Sequence, residues 1–228
     1  MTHNNTKNES PLLREVDFFP EQQSIGKWTK IFVDDQNNRV YSSSASMSAN
    51  ELLLVFKGRN NKIFLSDSVN VRKFKFSVNG NSNKIFVGSN SLLVGAANVT
   101  GKRQNLVIGD NTTFQSVSLY LKEDCNIYIG ADCMFSSRIE IRTSDSHAIY
   151  DRETAIRVNK PGDVVIGDHV WLGKDVIVSK GVTIADNCVI GAKSFVNKSL
   201  CTNHSVYAGI PARLIRSNII WTRESSAK

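Results

Sequence analysis

A six-residue repeat constrains this chain more than any other feature. Ile166, Leu172, Val178, Ile184, Ile190 and Val196 fall at successive steps of six, and all are aliphatic. The residue after each is Gly167, Gly173, Ser179, Ala185, Gly191 or Asn197, small or tolerant of a turn. A second column of Val170, Val176, Val182, Cys188 and Ser194 lies four residues after the first five. A helix presents one face about every 3.6 residues and a strand about every 2, so a period of six fits neither as a continuous element. It fits a short strand and a corner, repeated. The aliphatic fills the inside of the turn, and the small residue beside it lets the backbone bend. One such rung buries little, so stability must come from stacking.

The same unit recurs upstream in looser form. NKIFLSD, NKIFVGS, NLVIGD, NIYIGAD and DVVIGD place Leu65, Val87, Ile108, Ile129 and Ile166 as equivalent corners, at spacings of 22, 21, 21 and 37. Three hexads make 18, so each early coil carries an extra half-rung. The longest interval marks an insertion at 136–162, and loops projecting from a repeat scaffold often carry function. The expected architecture is all-β, a left-handed parallel β-helix over 51–206. A tail and capping segment precede it over 1–50, with a hairpin turning at 34–38 and residues 1–20 expected to be flexible. Residues 207–228 form a C-terminal extension or short helix, with Pro211 stopping the last rung.

The formal charge is +7, from 28 Lys and Arg against 21 Asp and Glu, which favours anionic partners. Its densest cluster is Arg72, Lys73 and Lys75, where VRKFKF alternates charge with aromatics. That pattern alone reads as a strand with a solvated face. No nucleic-acid-binding signature appears, so no nucleic-acid partner is expected. The polar opening MTHNNTKNES does not read as a signal peptide, and no apolar run approaches a membrane span. The chain reads as cytoplasmic, with Cys125, Cys133, Cys188 and Cys201 as reduced thiols and no metal site.

Two residues stand out for chemistry. His147 lies on the insertion, where an imidazole can reach across a groove. Trp171 falls just before Leu172, at an outward position where packing alone does not explain it. Such a residue needs a ligand, a loop or a neighbouring subunit. Asp145, two residues before His147, is a candidate to orient the imidazole, a task a backbone carbonyl would serve equally well.

The motifs EIRTSDSHAIYD, GDVVIGDHVWLGKDVIVSKGVTI and YAGIPARLIR followed by IIW resemble the hexapeptide-repeat O-acetyltransferases. The resemblance is strongest to those that modify bacterial capsular or other surface polysaccharides, including the polysialic-acid type. It implies an acetyl-CoA-dependent enzyme, a homotrimer with active sites between subunits, and a carbohydrate acceptor. His147 would be the general base and Trp171 would shape the site. A backbone N–H near Gly173 or Lys174 would meet the oxyanion. Ala192, Lys193, Asn197, Lys198, Arg213 and Arg216 would line the cofactor path, although Asn197 stands where the family often has Ser or Thr. The acceptor atom is not legible, so N-acetylation of an amino sugar or sugar nucleotide stays open beside O-acetylation of a polysaccharide.

Overall fold

The computed structural model describes residues 29–43, 48–49 and 51–225, so the tail expected to be flexible (1–20) lies outside the described residues. All the regular elements among them are strands, and no helix is long and apolar enough to cross a membrane. The strands wind into a left-handed parallel β-helix of triangular section. On its first face Arg39–Ser42, Lys62–Leu65, Lys84–Val87, Asn105–Ile108, Ile127–Ile129, Val164–Ile166 and Thr183–Ile184 stack in parallel. The register is the one the repeat predicts, with Leu65 on Val87, Val87 on Ile108, Ile108 on Ile129, Ile129 on Ile166 and Ile166 on Ile184. The second face carries Thr113–Phe114, Met134–Phe135, Trp171–Leu172, Val189–Ile190 and Val206–Ala208, and the third carries Val117–Lys122, Ile139–Arg142, Ile177–Val178 and Phe195–Val196.

The two coil sizes have a structural origin. Late coils repeat every 18 residues, as Val165 pairs with Thr183. In early coils Asn70–Asn81 and Leu92–Lys102 run unbroken from the second face onto the third, where they pair over most of their length. The extra half-rung therefore lies on the third face. A wider section needs larger fillers to reach interior packing density. Accordingly Phe74, Phe76, Phe114 and Phe135 are fully buried upstream, whereas the late coils are filled by Ile, Val, Leu and Cys188.

Corners hold the register. At the first corner, between first and second faces, Asn90, Asn111, Asp132, His169 and Asn187 each adopt φ of 53–59°. Asn, Asp and His tolerate this left-handed conformation best among residues with a side chain. Aspartates cap the turn of the coil before: Asp168 Oδ1 accepts from Ala131 N–H at 2.7 Å and Asp186 Oδ1 from Asp168 N–H at 2.8 Å. At the third corner, between third and first faces, buried Asn38, Asn61 and Asn83 form an amide ladder. Asn61 Nδ2 donates to Asn38 Oδ1 at 2.8 Å, and Asn83 Nδ2 to Asn61 Oδ1 at 3.0 Å.

Both ends of the stack finish in an antiparallel strand, which removes an open parallel edge. Thr29–Val33 folds back on Arg39–Ser42 through the expected turn at 34–38, so the capping hairpin contributes the first rung, ahead of the boundary expected at 51. Arg213–Arg216 folds back on Val206–Ala208. Of the two forms considered for the C-terminus, extended chain is the one adopted. Leu214, Ile215 and Ile220 are exposed, so their spacing does not mark a buried helical face. The insertion is narrower than expected, because Ile139–Arg142 is a regular third-face strand and the excursion begins at Thr143.

Candidate active site

The excursion leaves the third corner and returns to it, its base closed by Gly162 N–H donating to Thr143 O at 3.0 Å. It folds as a small hairpin in which Tyr150 bridges Arg157 and Val158 N–H donates to Ile149 O at 2.9 Å. His147 sits on its ascending arm, exposed to solvent. Asp145 is not its orienter in the single chain. The Asp145 carboxylate instead pairs with Lys180 on the next coil and accepts from Asn159 Nδ2 at 2.9 Å. The Lys180 hydrogen bond, then that of Asn159, holds its carboxyl below the ordinary range. A spacing of two residues put Asp145 near His147 in sequence, but a cation on the wall was the stronger partner.

A second clasp fixes the descending arm. Arg157 grips Glu123 with both nitrogens, NH1 to Oε2 at 2.5 Å and NH2 to Oε1 at 3.0 Å, a bidentate geometry that is among the stronger ion pairs. Ser144 also donates to Glu123, and Lys122 Nζ donates to Ser146 Oγ at 2.8 Å. The Arg157 and Ser144 hydrogen bonds hold the Glu123 carboxyl down at about 2. Beyond these anchors Ile149, Tyr150, Ile156 and Val158 are each about 60% exposed, an apolar surface on the loop itself.

Trp171 lies on the second face and is 36% exposed, as its outward register requires. Part of its environment comes from the C-terminal tail, which turns back along the first corner. Trp221 stacks on His169 with ring centroids 3.9 Å apart, and its centroid lies 5.9 Å from that of Trp171 with the rings tilted by 44°. Trp221 Nε1 donates to His169 O at 3.0 Å. Arg223 donates to Asp132 Oδ1, Thr113 Oγ1, Asn111 O and Cys133 O, all within 3.0 Å, and so spans two coils. Burial opposes ionisation of Asp132, but the His169 and Arg223 hydrogen bonds outweigh it and keep its carboxyl low. His169 is thus a structural histidine. His169 occupies the left-handed corner position of its coil and Arg223 lies outside the repeat, and neither was marked as a contact residue by the sequence.

The cofactor-path residues divide between places. Gly173 and Lys174 sit at the second corner, between second and third faces, directly below Ala192 and Lys193 of the next coil, with Lys193 N–H donating to Lys174 O at 2.8 Å. A Cβ on Gly173 would lie 2.7 Å from Ala192 N, so glycine is required for this close stacking. Arg213 pairs with Ala208 at the same end of the molecule, whereas Arg216 pairs with Val206 at the far end of its strand. Asn197 and Lys198 follow Phe195–Val196 and lie at the third corner instead. Lys174, Ala192, Lys193, Asn197, Lys198, Arg213 and Arg216 are exposed. Asp175 tempers the charge at the second corner, where Arg138 pairs with it at 2.5 Å. Gly173 N–H is already bonded to Ile190 O at 2.8 Å. It is therefore unavailable to an oxyanion, and among the described residues of this turn Lys174 N–H is not so engaged.

The comparisons agree with this geometry. Residues 163–198 match the family described as Bacterial transferase hexapeptide (six repeats). The chain is 33% identical over 188 residues to the polysialic acid O-acetyltransferase of Neisseria meningitidis, covering 82% of this chain and 87% of that protein. The crystal structure of the polySia specific acetyltransferase NeuO superposes with a TM-score of 0.72 at 32% identity, covering 84% of this chain and 89% of that one. That of the polysialic acid O-acetyltransferase OatWY gives 0.60 at 30% identity, covering 76% and 93%. The chain belongs to the hexapeptide-repeat acetyltransferase family, in the group of the polysialic acid O-acetyltransferases. It is accordingly an acyl-transferring enzyme.

Proposed function

We propose that this enzyme transfers acetyl from acetyl-CoA to a hydroxyl of a capsular or other surface polysaccharide, acting in the cytoplasm with His147 as general base. The observation that carries this reading is the state of His147. It is exposed on the projecting loop, its backbone is tied down, and its imidazole has no hydrogen-bond partner among the described residues. A hydroxyl is a weak nucleophile until a positioned base removes its proton, an effect of about 10²–10⁴-fold. His147 takes that proton as the sugar oxygen attacks the thioester carbonyl. As the tetrahedral adduct collapses, the C–S bond breaks and the same proton passes to the departing sulfur. Lys174 N–H is the donor offered to the oxyanion.

The second corner fits a CoA. Gly173 and Ala192 leave the wall low, and Lys174, Lys193 and Arg213 supply cations for its phosphates, with Asn197, Lys198 and Arg216 lying further off. The acceptor we propose is acidic. Exposed Lys73 and Lys75 flank a shallow cleft with Glu51, Leu53 and Phe74. That cleft lies on the third face, from which the His147 loop also springs.

The face on which each group sits supports a site shared between subunits, the expected homotrimer. The His147 loop occupies the third corner and Trp171 the second face, which lie across the triangular section from one another. One chain does not bring them together.

The test is an acetyl-CoA assay over neutral and acidic glycans, with the product read by mass. Acetylation of an acidic polysaccharide is expected, with the rate falling as salt rises. His147→Ala should lose at least about 10²-fold in kcat. Full transfer by that variant would refute the base assignment.

A further inference from the structure

We propose that Asn159 is a positioning residue that sets the backbone of His147, an inference that rests on the reading of His147 as the base. Asn159 lies across the loop hairpin, and its carboxamide engages alternate residues on both sides of the histidine. Nδ2 donates to Asp145 Oδ2 at 2.9 Å and to the His147 carbonyl at 2.8 Å. Oδ1 accepts from Ile149 N–H at 2.7 Å and from Arg157 Nε at 3.3 Å. A primary amide has two N–H donors and two acceptor lone pairs, so this one is fully occupied. Its orientation follows from its partners, because Asp145 Oδ2 and the His147 carbonyl only accept while Ile149 N–H only donates.

Both loop anchors run through this amide. Asp145 ties it to Lys180 on the coil wall, and Arg157 ties it to Glu123 on the coil on the other side. The Asp145 carboxylate and the main chain at 147 and 149 are thereby fixed to the scaffold, while no contact is made to the imidazole, which stays available to a substrate. Asparagine suits this task. Aspartate keeps the acceptor for Ile149 but loses both donors and sets a second carboxylate beside Asp145. Alanine loses all four bonds. A base misplaced by about 1 Å loses up to about 10²-fold in rate without any change in its own chemistry.

The test compares Asn159→Ala, Asn159→Asp, His147→Ala and the double variant His147→Ala/Asn159→Ala by steady-state kinetics and thermal melting. Both Asn159 variants should lose about 10–100-fold in kcat, with KM for acetyl-CoA within about twofold of wild type. Because Asn159 acts through His147, the double variant should be no slower than His147→Ala alone. The inference is overturned if the Asn159 variants keep wild-type kcat. It is equally overturned if Asn159→Ala slows the His147→Ala enzyme by the factor it costs the wild type, the mark of a merely structural role. Should Asn159→Ala not fold, Asn159→Asp, close in size, carries the same comparison. Loss of activity in the Asn159 variants beside full activity in His147→Ala would fail the base assignment instead, so the two failures are distinguishable.

Discussion

Glu123 shows how much one exposed ion pair does for this site. A surface pair usually contributes little, but this carboxylate receives two guanidinium nitrogens and a hydroxyl, and that convergence takes it down to about 2. The sign of the pH effect follows. A carboxyl depressed in the folded state contributes stability in full above the ordinary carboxylate value, and that contribution is lost as pH falls through the folded value. Docking of the loop should therefore be insensitive to pH between 8 and 5 and weaken as pH drops below about 4.5 towards about 2. Glu123→Gln should loosen the loop at any pH above that acid range, where wild type keeps the charge. Limited proteolysis reads both effects, since Arg152 is exposed within the loop. Trypsin should nick the variant at 152 faster than wild type at neutral pH. Between about pH 4 and about pH 2 pepsin should gain on the wild-type loop relative to the variant's, whose rate serves as the control for the protease's own pH dependence. Equal tryptic rates would show that Arg157 and Glu123 do not hold the arm.

Among the elements, the C-terminal strap depends on a few side chains. Trp221 is buried between His169 and Trp171, and Arg223 fastens the end of the segment to two coils. Removing a buried Trp side chain typically costs about 3–5 kcal/mol, so Trp221→Ala should lower the melting temperature by several degrees. Trp171 would lose its aromatic neighbour, and kcat/KM should fall with it. Unchanged activity in a destabilised Trp221→Ala enzyme would show that the strap serves stability alone. Legibility in the sequence divides along the same line. The coils were readable because Ile166, Leu172, Val178, Ile184, Ile190 and Val196 repeat at one interval and are all buried. The outward register of Trp171 and the loop carrying His147 followed from the repeat and from its interruption. The strap was not readable, because Arg223 reaches Asn111 across 112 residues with no period linking them. Asn159 was hidden for a related reason. Its partners at 145, 147 and 149 are set by the fold of a hairpin, which leaves no mark in composition or spacing. Asp145 illustrates the converse, since closeness in sequence to His147 did not outweigh an ion pair with Lys180.

At the scale of the whole molecule, the decisive feature is that a triangular prism keeps a corner and its opposite face apart. His147 extends from the third corner, anchored there by Lys180 and Glu123, and Trp171 lies on the second face beside the strap. The loop also presents Ile149, Tyr150, Ile156 and Val158 to solvent, an apolar patch suited to a neighbouring wall. Under the proposed trimer, a closed cyclic assembly, each interface would join the loop of one copy to the second face of the next. His147→Ala and Trp171→Ala should then complement one another. A mixed trimer has one interface at which an intact His147 meets an intact Trp171. Random assembly from equal amounts makes about three quarters of the trimers mixed, with one site in three restored, so about a quarter of wild-type sites should return. Co-expression of two differently tagged variants followed by tandem purification keeps only the mixed trimers, in which an acetyl-transfer assay should find about a third of wild-type sites. If His147 and Trp171 acted within one chain, every hybrid would be as inactive as its parents, and the shared-site reading would fall while the acetyltransferase assignment stood.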